Sequence, residues 1–155
     1  MLRYEKVRGL PPRRKEAVVP GTVVVGFVDS PAGKAALEAA VEEVGRRGAR
    51  LVLVNSAHGG RHEDGEHVLA IRDAVEAARQ ELEAGGVDLE VLEFARGKEP
   101  TEDLLEVARE RQADLIVIGL RRRSAVGKVL LGSNSQSILL EADCPVLAVK
   151  AAPTH

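Results

Sequence analysis

The sequence contains almost no aromatic residues and a single cysteine. Only 2% of its 155 residues are aromatic, so the apolar core must be built from Val, Leu, Ile and Ala. This composition leaves no aromatic platform on which single-stranded nucleic acid could stack. A net charge of -2 argues against a general polyanion binder, and we expect no nucleic-acid partner. One cysteine, Cys144, rules out an internal disulfide and fits a reducing compartment.

Long apolar runs and a signal-like N-terminus are also missing. No uninterrupted apolar stretch approaches the roughly 18 residues of a membrane-spanning helix. The N-terminal stretch MLRYEKVRGLPPRRK lacks the apolar segment of a secretory signal. We therefore expect a cytoplasmic protein without a membrane partner. Residues 1–20 carry six basic residues and three prolines, and we expect them to form a basic arm before one domain at residues 21–155.

From Thr22 onward, short apolar runs alternate with segments of helical periodicity. The predicted strands are 22–28, 49–56, 87–94, 113–119 and 145–150. The predicted helices are 31–48, 67–84, about 100–112 and about 133–141. This order predicts an α/β fold, a single doubly wound domain whose five-stranded, mostly parallel sheet carries helices on both faces.

The loops after three of the strands are predicted to open at one edge of the sheet, where ligands bind in such folds. The longest of them lies in GLRRRSAVGKVLLGSNS, residues 119–135. Backbone N–H groups of Gly132, Ser133 and Asn134 would be unpaired donors at a helix N-terminus, which favours phosphate. Alternatively, Ser133 followed by Gln136 fits a capping box, which needs no ligand. Spacing alone leaves both interpretations open.

The stretch from Gly119 to Lys150, GLRRRSAVGKVLLGSNSQSILLEADCPVLAVK, resembles the C-terminal signature of the universal stress protein family. That signature reads G-x2-G-x9-G-(S/T), followed by a short helix and a C-P-V-x-x-V strand. VVVGFVDSPAGKAALEAA resembles the opening strand and helix of the family. The resemblance covers residues 22–150. It implies an adenine nucleotide alpha hydrolase-like (Rossmann-like) sheet with strand order 3-2-1-4-5 and a homodimer formed through the last strand, residues 145–150.

The resemblance also implies a site for ATP or AMP, with Mg²⁺ accompanying ATP, at the carboxyl edge of the sheet. Ser56 matches a position whose backbone meets the adenine. The positions that match the phosphate and ribose contacts are Gly119, Gly132, Ser133, Asn134 and Ser135.

Two positions of the proposed site depart from the family pattern. Arg122 stands where the second glycine of G-x2-G is expected, and its guanidinium could pair with a phosphate or fill the pocket. In the first loop, Val28-Asp29-Ser30, a gapless match puts Val28 at the acidic position that meets the nucleoside. A shift of one residue would give that role to Asp29.

We therefore expect a non-catalytic stress-response protein that binds ATP or AMP, with at most slow ATP hydrolysis. One alternative is a dimeric scaffold of the same fold that binds a partner and no nucleotide. The other is an ATP-using enzyme of the nucleotide alpha-hydrolase type, although SPAG at residues 30–33 is a poor match to the phosphate loop of those enzymes. We expect no metal site from His58, His62 and His67, because glycines interrupt their loop and leave the spacing of the ligands unfixed.

Overall fold

The computed structural model describes residues 21–56, 65–94, 99–121 and 131–152. Five strands alternate with four helices, and every boundary lies within two residues of its predicted position. The strands are β1 Thr22–Gly26, β2 Arg50–Ser56, β3 Leu89–Phe94, β4 Leu115–Leu120 and β5 Val146–Lys150. The helices are α1 Pro31–Arg47, α2 Gly65–Ala84, α3 Pro100–Glu110 and α4 Ser133–Glu141. The predicted basic arm at residues 1–20 lies outside the described residues.

The five strands form one parallel sheet in the order β3-β2-β1-β4-β5, which confirms the expected topology. The chain moves from β1 to one side of the sheet and returns to place β4 on the other side of β1. The strand order therefore reverses at β1, and a crevice opens there beyond the carboxyl ends of the strands.

The two faces of the sheet carry separate apolar cores, as expected for a parallel sheet. Val23 and Val25 of β1 pack with α1 and α2, whereas Val24 packs with α3 and α4. All three valines are fully buried. Because successive strand residues point to opposite faces, the unbroken apolar run of β1 supplies both cores.

The first turn of α1 lies very close to the ends of β1 and β4. A Cβ atom on Gly119 would overlap the backbone carbonyl of Ala32, and one on Gly33 would overlap the carbonyl of Val28. β1 ends at Gly26, two residues earlier than predicted, and the chain then turns, with the N–H of Ser30 donating to the Val28 carbonyl at 2.8 Å. The glycines thus allow α1 to begin directly above the crevice.

Cys144 lies just before β5 and packs against the α3 and α4 core. Burial, followed by the nearby carboxylates of Asp114 and Asp143, raises the pKa of its thiol. The thiol therefore stays protonated at neutral pH, in keeping with a structural role. No helix within the described ranges is long and apolar enough to cross a lipid bilayer.

Candidate functional site

A cavity of about 270 Å³ opens at the carboxyl edge of the sheet. The ends of β1, β2 and β4 form its floor, and the N-termini of α1, α3 and α4 form its walls. Each helix directs the positive end of its dipole toward this space. Arg121 also lines the cavity, and none of the described residues that line it is a carboxylate. The site is therefore suited to an anionic ligand.

The cavity brings together most of the residues that sequence analysis assigned to a site. Those that line it are Val28, Ser30, Ser56, Gly119, Gly132, Ser133, Asn134 and Ser135. Asp29 does not line it, and its carboxylate instead lies 3.7 Å from the amino group of Lys34. Arg122 falls outside the described residues.

α4 begins at Ser133, and Gly132 is its N-cap residue. Of the two interpretations left open by the sequence, the capping box is therefore wrong, because glycine has no side chain to cap the helix and Ser133 already belongs to the first turn. The side-chain amide of Gln136 donates to the carbonyl of Leu131 at 3.1 Å. The first intrahelical bond runs from the N–H of Gln136 to the carbonyl of Gly132. Hence the N–H groups of residues 133–135 have no acceptor inside the helix.

The packing of the described residues does not explain why residue 132 is glycine. Its backbone angles, φ −67° and ψ 162°, are open to any residue. Among the described residues, none has an atom within 4 Å of a Cβ built at this position. Gly132 therefore leaves open space beside the unpaired N–H groups of α4.

The N-terminus of α1 is capped by its own chain. The hydroxyl of Ser30 accepts the N–H of Gly33 at 3.0 Å, and the carbonyl of Ser30 accepts the N–H of Lys34 at 2.9 Å. Ser30 thus has a structural role in addition to lining the cavity. Beside it, Val28 is 49% exposed and presents an apolar surface.

α3 contributes polar groups that sequence analysis missed. The hydroxyl of Ser56 donates a hydrogen bond of 2.6 Å to Oδ2 of Asp103, which is almost fully buried. Thr101, in the first turn of α3, lines the cavity. One sequence signal was present: Asp103 lies four residues before Val107, on the buried stripe of α3. An acidic residue at such a position indicates a buried polar contact.

Comparison with known proteins identifies the family. Residues 21–150 match the sequence profile described as the universal stress protein family. The chain belongs to this family.

Individual members of the family agree with this assignment. A universal stress protein of Mycolicibacterium smegmatis is 40% identical over 128 residues, covering 83% of this chain and 96% of that protein. The structure of a universal stress protein from Archaeoglobus fulgidus is 32% identical, with a TM-score of 0.70, and covers 86% of this chain and 100% of that one. A structure of the Archaeoglobus fulgidus universal stress protein in complex with dAMP is 29% identical, with a TM-score of 0.65, covering 84% and 98% of the two chains.

The histidines considered as metal ligands are not among the described residues of the cavity wall. His58 and His62, together with the side chain of His67, lie outside the described part of the structure. Elsewhere in the described ranges, no group of three or more His, Cys, Asp or Glu residues is arranged to hold a metal ion.

Proposed function

We propose that this universal stress protein is a non-catalytic, cytoplasmic stress-response protein that binds an adenine nucleotide, AMP or ATP. The observation that carries the proposal is the amino end of α4, where three N–H groups without intrahelical acceptors line the cavity beside Gly132. Unpaired donors at a helix N-terminus form a phosphate site. The dAMP complex of the similar Archaeoglobus fulgidus protein supports a nucleotide as the ligand.

In this proposal the phosphate binds at residues 132–135, above Gly119, and the ribose lies against Val28 and Ser30. Asp29 stays at the rim, where Lys34 balances its charge. The base occupies the opposite end, at Ser56. Since β2 and β4 flank β1, their ends lie two strand spacings apart, about 10 Å. Such a span suits a nucleotide with its base beyond β2 and its phosphate beyond β4.

Arginine side chains complement the phosphate end. Arg121 lines the cavity, and we place Arg122, the next residue, as a second cation for the phosphates. With ATP, Mg²⁺ would be held mainly by the phosphates and by water. The hydroxyls of Ser133 and Ser135 and the amide oxygen of Asn134 are oxygen ligands of the kind that Mg²⁺ accepts.

The described lining favours binding over hydrolysis. It consists of apolar side chains, hydroxyl groups, one amide and one arginine, which hold an anion without activating water. We therefore assign at most slow ATP hydrolysis to the chain. A second part of the proposal is a homodimer formed through residues 145–150, supported by the position of β5 at the edge of the sheet.

Calorimetric titration with AMP and ATP, the latter with and without Mg²⁺, tests the nucleotide site, and Gly132→Ala is the decisive variant. Its methyl group meets none of the described residues, and exchanging glycine for alanine at an N-cap should lower the melting temperature by no more than a few degrees. The same methyl group should keep a phosphate away from the N–H groups of α4. Loss of one or two charge-assisted hydrogen bonds would weaken AMP binding about ten- to a hundredfold.

Gly45→Ala is the matched control, because Gly45 lies near the far end of α1 and no described residue comes within 4 Å of an added Cβ. It should leave AMP affinity unchanged. If the wild-type protein carries no nucleotide after purification and shows no heat with AMP, dAMP or ATP, the nucleotide proposal is wrong. The dimeric scaffold without a nucleotide then becomes the better description.

A further inference from the structure

A cluster of three polar residues lies at the α3 end of the cavity. Ser56 and Thr101 line the cavity, and Asp103 lies behind Ser56 with only 3% of its surface exposed. The hydroxyl of Ser56 lies 2.6 Å from Oδ2 of Asp103, a distance typical of a hydrogen bond to an ionised carboxylate. The location of Asp103 in the first turn of α3 favours its negative charge, because the helix dipole is positive there.

This hydrogen bond determines what Ser56 can offer a ligand. A carboxylate only accepts hydrogen bonds, so the single hydrogen of the Ser56 hydroxyl is committed to Asp103. The oxygen keeps its lone pairs, and Ser56 can therefore act toward a ligand only as an acceptor. A serine without such a partner would rotate its hydroxyl and either donate or accept.

Thr101 provides a second, independent indication of a ligand. Its side-chain oxygen is fully buried, yet it has no hydrogen-bond partner in the described part of the chain. A buried hydroxyl without a partner is costly, and buried polar groups in native proteins are nearly always paired. Thr101 lines the cavity, and a rotation of its side chain would turn this hydroxyl toward a polar atom of a bound molecule.

We propose that Asp103 is a positioning residue that makes the cavity selective for a base with an exocyclic amino group. This inference rests on the proposed function. Held by Asp103, Ser56 accepts a hydrogen bond from the 6-amino group of adenine. The 6-carbonyl of hypoxanthine would instead bring a second acceptor against the lone pairs of Ser56. Thr101, which can donate or accept, contacts the neighbouring ring nitrogen of either base.

The test compares calorimetric titrations with AMP and with inosine monophosphate, which carries a carbonyl at the position of the amino group. The wild-type protein should bind AMP at least about tenfold more tightly than inosine monophosphate. AMP gains a hydrogen bond to Ser56, whereas the carbonyl of inosine monophosphate is left without a donor. In Asp103→Asn, the side-chain amide can donate to Ser56 and free the serine hydrogen for a carbonyl. The ratio of the two affinities should then fall toward one.

Ser56→Ala gives a second measurement that does not depend on the folding of Asp103→Asn. It should weaken AMP binding about tenfold and inosine monophosphate binding little, because only AMP loses a hydrogen bond. Glu102→Gln is the control: it removes a negative charge from the same turn of α3 at an exposed position, and should keep the wild-type ratio.

Three other outcomes would overturn the inference, and they differ in what they imply for the proposed nucleotide site. Equal affinity of the wild-type protein for both nucleotides overturns it and leaves the proposed nucleotide site intact. The inference is also overturned if Ser56→Ala or folded Asp103→Asn binds both nucleotides more weakly but keeps the wild-type ratio of the two affinities. The mutated residue would then have a purely structural role. Binding of neither nucleotide overturns the inference and the proposed function together.

Discussion

At the scale of single residues, glycine stands at different positions of the chain for different physical reasons. Gly119 is required by the fold, because the backbone carbonyl of Ala32 occupies the place of its missing side chain. Gly132 is not required by any contact in the described structure. Gly45 lies within α1, away from the cavity, and no described residue contacts the position that a Cβ atom would take there. Stability measurements separate these causes.

Replacement of Gly119 by Ala should destabilise the protein, whereas the same change at Gly45 should stabilise it. The methyl group at residue 119 must push α1 away from β4, and overpacking of this kind costs about 1–3 kcal/mol or more. At residue 45, alanine lowers the entropy cost of forming the helix and contributes up to about 1 kcal/mol. Denaturant unfolding followed by circular dichroism measures both changes.

The two variants control for each other, since each adds one methyl group to a glycine in a regular element. Unchanged stability of Gly119→Ala would contradict the close approach of α1 to β4. The structure would then give no steric reason for glycine at residue 119.

At the scale of elements, α3 runs from the carboxyl end of the sheet to its amino end. Its first turn brings Thr101 to the cavity and Asp103 behind Ser56, and Arg111 follows its last turn at the amino end of the sheet. There the guanidinium of Arg111 makes two hydrogen bonds, of 3.0 and 2.7 Å, to the carboxylate of Glu90 in β3. The bonds from Arg111 lower the pKa of Glu90, an effect that partial burial of the carboxylate opposes.

The lowered pKa of Glu90 predicts how stability depends on pH. In the unfolded chain the pKa of glutamate is about 4.3. Above that pH the ion pair contributes its full stabilisation, and the contribution is lost as the pH falls through the lower pKa of the folded protein. Arg111→Gln should therefore make the free energy of unfolding fall less steeply below about pH 4.3 than in the wild-type protein.

Urea unfolding at a series of pH values measures this slope. Arg109→Gln is a useful comparison, because Arg109 pairs with Asp143 at the surface and does not contact Glu90. It should keep the part of the slope that comes from Glu90. Parallel pH profiles for Arg111→Gln and the wild-type protein would show that the Glu90 pair contributes nothing measurable.

At the scale of the whole molecule, the last strand leaves an edge open. β5 hydrogen-bonds only to β4 within the described chain, and its apolar residues are half-buried. The preceding helix, α4, exposes 84% of Leu140 and 40% of Leu139. Open strand edges and exposed apolar side chains are both features of surfaces at which protein chains associate.

Ala148→Pro should dissociate the proposed homodimer without breaking the sheet. The N–H of Ile116 bonds to the carbonyl of Pro145, so in a parallel ladder the N–H groups of Leu147 and Val149 face β4. The N–H of Ala148 faces the open edge. Ala148→Pro removes only this outer donor, and light scattering coupled to size-exclusion chromatography should report a monomer.

Ala148→Ser keeps the N–H group and should remain a dimer in the same measurement. A wild-type protein that elutes as a monomer at all accessible concentrations would contradict the homodimer itself. If Ala148→Pro stays dimeric while the fold is retained, the chains associate through a surface other than the β5 edge.

The fold was largely predictable, because its signals are local. Apolar runs and helical periodicity are properties of neighbouring residues, and they located all nine elements of the described ranges. The α4 terminus shows the limit of such signals. Both a phosphate site and a capping box fitted the letters from Gly132 to Gln136, and only the backbone path excluded the capping box, since the helix begins one residue after Gly132.

The sequence by itself determined the order of strands and helices, the two-sided burial of the sheet and the edge at which the loops meet. The tertiary structure decided which side chains meet there. The bond from Ser56 to Asp103 joins residues 47 positions apart, and Gly119 meets the start of α1 from β4. Hydrophobic patterning specifies which face of an element is buried, but such contacts depend on how close two elements approach. That distance follows from the packing of the whole domain.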